Sequence, residues 1–65
     1  MEKTMTLSRQ EQKVAESTLT TFKVEKRVNE WDWAITRNGE FVESYSTKSV
    51  ALYEAMRKEG KSIWN

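Results

Sequence analysis

Apolar and polar residues alternate along Thr20-Thr21-Phe22-Lys23-Val24-Glu25-Lys26-Arg27-Val28, and β-branched side chains are frequent in this stretch. A period of two puts every second side chain on one face of an extended chain, so it predicts a half-buried strand. Trp31-Asp32-Trp33-Ala34-Ile35-Thr36-Arg37 repeats the period, and Glu40-Phe41-Val42-Glu43-Ser44-Tyr45-Ser46 follows as the returning strand. Between these two runs lies Asn38-Gly39. Both residue types tolerate positive φ, which a two-residue type I′ hairpin turn requires, so the runs should pair antiparallel.

That turn sets a register. Arg37 should face Glu40, Ile35 should face Val42 and Trp33 should face Ser44. If Asn29-Glu30 is likewise a two-residue connection, Val28 opposes Trp31 and Val24 opposes Ile35. Phe22, Val24, Val28, Trp31, Trp33, Ile35 and Val42 then share one apolar face, and a one-residue slip in either pairing would scatter them. The opposite face receives Thr21, Lys23, Glu25, Arg27, Asp32, Ala34, Thr36, Phe41, Glu43 and Tyr45. Trp31 and Trp33 are accordingly assigned to the core rather than to a stacking platform for bases.

After the strands, Thr47 is placed to cap a helix running through Lys48 to Glu59, and Gly60 to end it in a left-handed conformation. Ala51, Leu52, Ala55 and Met56 form one stripe that would cover the apolar sheet face. Before the strands, apolar residues are sparse up to Ser17, although Ser8-Arg9-Gln10-Glu11 has the spacing of a capping box. Isolated helices shorter than about 12–15 residues are marginal in water, so this region reads as a flexible arm carrying a partial helix. The expected fold class is therefore α+β: residues 1–19 an N-terminal arm, and residues 20–65 a three-stranded antiparallel meander packed on one C-terminal helix. Ile63 and Trp64 are apolar enough to fold back over an open edge of that core.

A chain of 65 residues accommodates one domain and a thin core; at this size only about 60% of the unfolded surface is buried. Cysteine and histidine are both absent. Disulfides and thiolate metal sites are thereby excluded, and the common nucleophile–base arrangements lose their usual members, so neither a cofactor nor an enzymatic activity is expected. Asp32 and Glu43 are the carboxylates nearest to an acid–base pair, but a three-stranded sheet offers no pocket to desolvate them. No stretch has the apolar length of a membrane span or a signal peptide, which predicts a cytoplasmic location. Eleven basic against ten acidic residues leave a net charge of +1, low for a dedicated nucleic-acid binder. The cluster Arg57, Lys58 and Lys61 is what a helix C-terminus attracts through its dipole.

The segment Trp33-Ala34-Ile35-Thr36-Arg37-Asn38-Gly39-Glu40, followed by Ser44-Tyr45-Ser46-Thr47-Lys48-Ser49-Val50-Ala51, resembles the small DNA-binding domains of phage-type integrase arms and plant ethylene-response factors. It is also similar to short bacterial hairpin-helix proteins. The resemblance covers roughly residues 22–58. It implies a sheet that enters the DNA major groove, with contacts from Lys23, Arg27, Thr36 and Tyr45. The chain departs from that pattern in carrying Glu25, Asp32 and Glu43 on the same predicted face, where carboxylates repel phosphates. The double-stranded RNA-binding module shares the element order, but its lysine-rich second-helix start is not matched.

Phe41 and Tyr45 stand out as aromatics on the predicted open face, among charged neighbours. Aromatics in such a setting serve as interface anchors. The sequence thus points to a small accessory or regulatory protein binding a partner protein through Phe41 and Tyr45 with Lys23, Arg27 and Thr36 around them; the size of the chain, rather than these residues, suggests an inhibitor of the phage-encoded kind. A DNA- or RNA-binding module on the same face is the alternative, and homodimerisation stays open. A second candidate surface is the outer side of the helix at Val50, Tyr53 and Arg57.

Overall fold

The computed structural model describes residues 7–61, so the expectation for Ile63 and Trp64 lies outside the described residues. Its elements are α1 (Arg9–Thr18), β1 (Phe22–Arg27), β2 (Asp32–Arg37), β3 (Glu40–Tyr45) and α2 (Lys48–Lys58). The strands form one antiparallel sheet in the order β1-β2-β3, and α2 covers one face of it. This is the expected α+β arrangement with an added helical element at its start.

Within the described part of the N-terminal arm, Arg9–Thr18 is a regular ten-residue helix. Its start is the capping box: the Glu11 amide donates to Ser8 Oγ at 3.2 Å, and the Ser8 amide donates to Glu11 Oε1 at 2.9 Å. Near its end Ser17 and Thr18 donate back to the carbonyls of Lys13 and Val14, as hydroxyl side chains do when they compete with the helix ladder. The helix packs on α2, where Leu7 and Ala15 are buried with Leu52 and Met56. The Leu7 amide donates to Ser49 Oγ, and Glu16 pairs with Lys48 at 2.6 Å. Val14, on the same helix, stays exposed.

Two features of the sheet follow the sequence reading and two depart from it. Asn38 and Gly39 have φ of 54° and 83°, as the type I′ turn requires, and Arg37 faces Glu40. Val24 faces Ile35 in the β1–β2 ladder, again as expected. The β1–β2 connection, however, is a four-residue loop over 28–31. Arg27 and Asp32 form the last pair, and the Arg27 carbonyl accepts from the amides of Glu30 and Trp31 at 3.2 and 2.8 Å. A four-residue loop centred on the same point keeps the register of a two-residue turn while taking Val28 and Trp31 out of the sheet. Both were expected in the core; they are 70% and 80% exposed.

The second departure is a β-bulge in β3. Thr36 pairs with Phe41 but Ile35 pairs with Glu43 and Trp33 with Tyr45, leaving Val42 as the extra residue. Beyond it every β3 side chain is on the opposite face from the one expected. The Ile35–Val42 and Trp33–Ser44 pairings do not form, and Tyr45 turns toward α2. There it packs on the core of Ile35, Ala51 and Ala55 together with Leu19, Phe22, Val24 and Trp33. Glu43 turns the same way and pairs with Lys58 at 2.8 Å. The bulge exchanges Val42 for a larger aromatic in the core, and apolar burial grows with area.

A carboxylate closes the fold. Helix α2 begins at Thr47, whose hydroxyl accepts from the Val50 amide at 3.2 Å. It ends in a Schellman motif: Gly60 has φ of 72°, its amide donates to the Arg57 carbonyl, and the Lys61 amide donates to the Met56 carbonyl, both at 2.9 Å. This turn sets Glu59 against the α1–β1 junction. Its Oε2 accepts from the amides of Thr20, Thr21 and Phe22 at 3.1, 2.8 and 2.9 Å, and its Oε1 accepts from the Thr20 amide and hydroxyl. Lys61 pairs with Glu59 at 2.8 Å and donates to the Thr18 carbonyl at the end of α1. Burial alone would push the Glu59 carboxyl up, but Lys61 and the three backbone amides outweigh it and bring its pKa down to about 2.

Replacing Glu59 by Gln should therefore lower stability at pH 7 by roughly 2–3 kcal/mol in urea unfolding, the scale for charged hydrogen bonds to groups left wanting. Because the folded-state pKa lies below the unfolded one, the contribution is complete above pH 4.5 and fades as the pH falls toward about 2. The stability gap between the two proteins should close over that interval. Deleting Val42 should leave a folded protein with the near-ultraviolet signature of packed Trp33 and Tyr45, since both halves of the β2–β3 ladder keep their partners when the extra residue is removed.

Candidate functional site

The face of the sheet turned away from α2 is built from Lys23, Glu25 and Arg27 of β1, Asp32, Ala34 and Thr36 of β2, and Phe41 and Ser44 of β3. Among the described residues no helix lies over it, yet Ala34 and Thr36 are buried there. Long side chains from the flanking strands cover them. Arg27 is the principal cover: its Nε and Nη2 donate to the two oxygens of Asp32 at 2.8 and 2.7 Å, a bidentate pair, and Nη2 reaches Ser44 Oγ at 3.4 Å. Its guanidinium carbon lies 4.8 Å from the centre of the Phe41 ring, within cation–π range. Thr36 donates to Glu25 Oε2 at 3.3 Å. The bond from Arg27 draws the Asp32 carboxyl below its usual range, against a smaller opposing effect of desolvation.

One side chain from β1 thus reaches across β2 to an aromatic and a hydroxyl on β3. Geometry like this needs a strand pair without slip and an Arg long enough to cross, and both are present. The result is a fixed guanidinium with an exposed aromatic beside it: Phe41 is 55% exposed and its bulge neighbour Val42 is 39% exposed. At one end of the face stands the β1–β2 loop with Trp31, a large aromatic in left-handed conformation at φ 56°. Non-glycine residues rarely adopt that region, and residues held there cluster at functional sites.

Of the residues singled out from sequence, Phe41, Arg27, Thr36 and Lys23 share this face; Phe41 and Lys23 are exposed, Arg27 is half-buried and Thr36 is buried. Tyr45 does not join them. The bulge sends it to the α2 side, where burial raises the pKa of its hydroxyl and Glu43 adds to the shift. Glu43 leaves the face with it, so the charges there are two cations, Lys23 and Arg27, against two carboxylates, Glu25 and Asp32. The basic cluster is engaged elsewhere: Arg57 pairs with Glu54 at 3.3 Å, Lys58 with Glu43, and Lys61 with Glu59. On the outer side of α2, Val50 and Tyr53 are half-buried. No group of carboxylates suited to a metal ion occurs among the described residues, and no described helix is long and apolar enough to cross a membrane.

Sequence reasoning missed Val42, Val28 and Trp31 as exposed apolar groups. Asn29 was a visible turn signal for the loop; for the bulge the signal is the adjacent apolar pair Phe41-Val42 followed by the polar pair Glu43-Ser44, which breaks the alternation at that point.

The two β3 aromatics should separate in urea unfolding. Phe41→Ser should cost less than about 1 kcal/mol, as for an exposed cross-strand position. Tyr45→Ser should cost about 1.5–3 kcal/mol, as for an aromatic taken from a core. Equal costs would mean that the bulge does not divide them. Among known proteins, no family model, no curated protein and no solved structure matches this chain.

Proposed function

We propose that the chain is a small non-catalytic accessory or regulatory protein that binds a partner protein through the open face of its sheet. The observation that carries this reading is the pair Phe41 and Arg27: an exposed ring lying 4.8 Å from a guanidinium that Asp32 already holds in place. Aromatic and arginine side chains carry much of the energy at protein interfaces, and a pre-ordered arginine loses little further freedom on binding. Val42 extends the apolar area, and Trp31 offers a second anchor at the end of the face.

The charge on the face supports a protein partner over a nucleic acid. Binding to phosphates draws on unpaired cations, whereas Arg27 is engaged by Asp32, and Glu25 stands beside Lys23. A partner surface of mixed charge with an apolar recess for Phe41 is the complement. A small domain that occupies such a recess on an enzyme acts as an inhibitor, which is the mode of action favoured here.

Affinity capture from a native lysate treated with nuclease tests the reading. The wild-type chain should retain a partner that withstands raised salt, and Phe41→Ser, still folded by circular dichroism, should lose it. Retention that disappears with nuclease and falls steeply with salt would assign the same face to DNA or RNA instead.

A further inference from the structure

The two edges of the sheet are unlike. Strand β3 is interrupted by its bulge, a device that blunts an edge against further pairing, whereas β1 is regular from Phe22 to Arg27 and, among the described residues, has β2 on one side only. The Asn38-Gly39 turn makes Arg37 and Glu40 a hydrogen-bonded pair, and from there the alternation of the ladder turns the amides and carbonyls of Lys23, Glu25 and Arg27 toward β2. Those of Phe22, Val24 and Lys26 point outward. The Phe22 amide does so, reaching Glu59 at 2.9 Å. Beside this edge a groove of about 280 Å³ runs between α1 and β1, lined by Leu19, Phe22, Val24 and Leu52, with Glu16, Lys23 and Glu25 at its rim.

We propose that β1 pairs antiparallel with β1 of a second copy, centred on Val24, to give a continuous six-stranded sheet across a two-fold axis. The sequence Phe22-Lys23-Val24-Glu25-Lys26 is self-complementary in this register. Val24 meets Val24 as a hydrogen-bonded pair at the mouth of the groove, Phe22 meets Lys26, and Lys23 meets Glu25 twice on the open face. The neighbouring registers that keep outward groups opposed fail on charge: one sets Lys23 against Lys23, the other Glu25 against Glu25, and like charges directly opposite are destabilising. Lysines on an edge strand ordinarily deter pairing; here each has an acidic or aromatic complement on a second copy of the same strand. The groove supplies room for the side chains that a new strand brings to the helical side.

The pairing is tested by the oligomeric state of the full chain in analytical ultracentrifugation. The wild type should sediment as a concentration-dependent dimer. Lys23→Glu alone and Glu25→Lys alone should each sediment as monomers while folded by circular dichroism. An equal mixture of those two variants should restore the dimer, because each then opposes the other's charge, and the double exchange Lys23→Glu with Glu25→Lys should restore it within one chain. Amide exchange gives a readout without any variant: the Val24 and Lys26 amides should be protected in concentrated wild-type protein and lose that protection on dilution. A wild type that stays monomeric at all concentrations, or a dimer indifferent to both charge reversals, would overturn the proposal. The Phe41→Ser variant should dimerise as the wild type does, which keeps this result separate from loss of a partner at the open face.

Discussion

The Glu59 carboxylate holds together parts of the chain that have little else in common. Three successive amides, those of Thr20, Thr21 and Phe22, have left the ladder of α1 and have not entered that of the sheet, and one carboxylate at the end of α2 satisfies all three. Lys61, returned by the Schellman turn at Gly60, neutralises that carboxylate and caps the Thr18 carbonyl. The start of β1 is thereby fixed relative to both helices. In so thin a core, where Ile35 and Leu52 are the largest fully buried side chains among the described residues, a junction left unpaired would cost a large share of a stability that is small in any protein of this size.

With the start of β1 fixed, the register of β1 against β2 follows, and with it the position of Arg27. The bulge at Val42 then divides β3 between two tasks. Tyr45 and Glu43 serve the α2 side, one as core and one as the partner of Lys58. Phe41 remains on the open side under the Arg27 guanidinium. A regular strand could not have done both with this sequence, because Phe41 and Tyr45 would then share a face. The open surface is consequently smaller and more neutral than alternation alone implies, with one exposed aromatic at its centre and Trp31 at its end.

Much of this was legible in the residues. Strand positions, the Asn38-Gly39 turn, the Thr47 cap, the Gly60 stop and the Ala51, Leu52, Ala55 and Met56 stripe were all read from local chemistry, and such signals act over a few residues. The capping box at Ser8 was equally visible, but the packing of α1 was not: its buried contacts are Leu7 before the helix and Ala15 within it, too few to make a stripe. The mark of the bulge is a single break in the alternation, the apolar pair Phe41-Val42 before the polar pair Glu43-Ser44; strict alternation carried across it from the turn misassigned the face of Tyr45 but not that of Phe41. The role of Glu59 had no such mark. Its partners are backbone amides 37 to 39 residues away, and a pattern of side chains carries no record of them. Of the candidate site, the residues upstream of the bulge were legible; Val42 and Trp31 entered only with the backbone geometry.

The dependence of the fold on that junction is open to direct observation by nuclear magnetic resonance. The carboxyl carbon of Glu59 and the amides of Thr20, Thr21 and Phe22 can be followed together through an acid titration. The account predicts one shared transition with a midpoint at about 2, the amides moving as their common acceptor takes a proton. A Glu59 midpoint at the ordinary 4.5, with the three amides unmoved through it, would show that the carboxylate does not hold the junction.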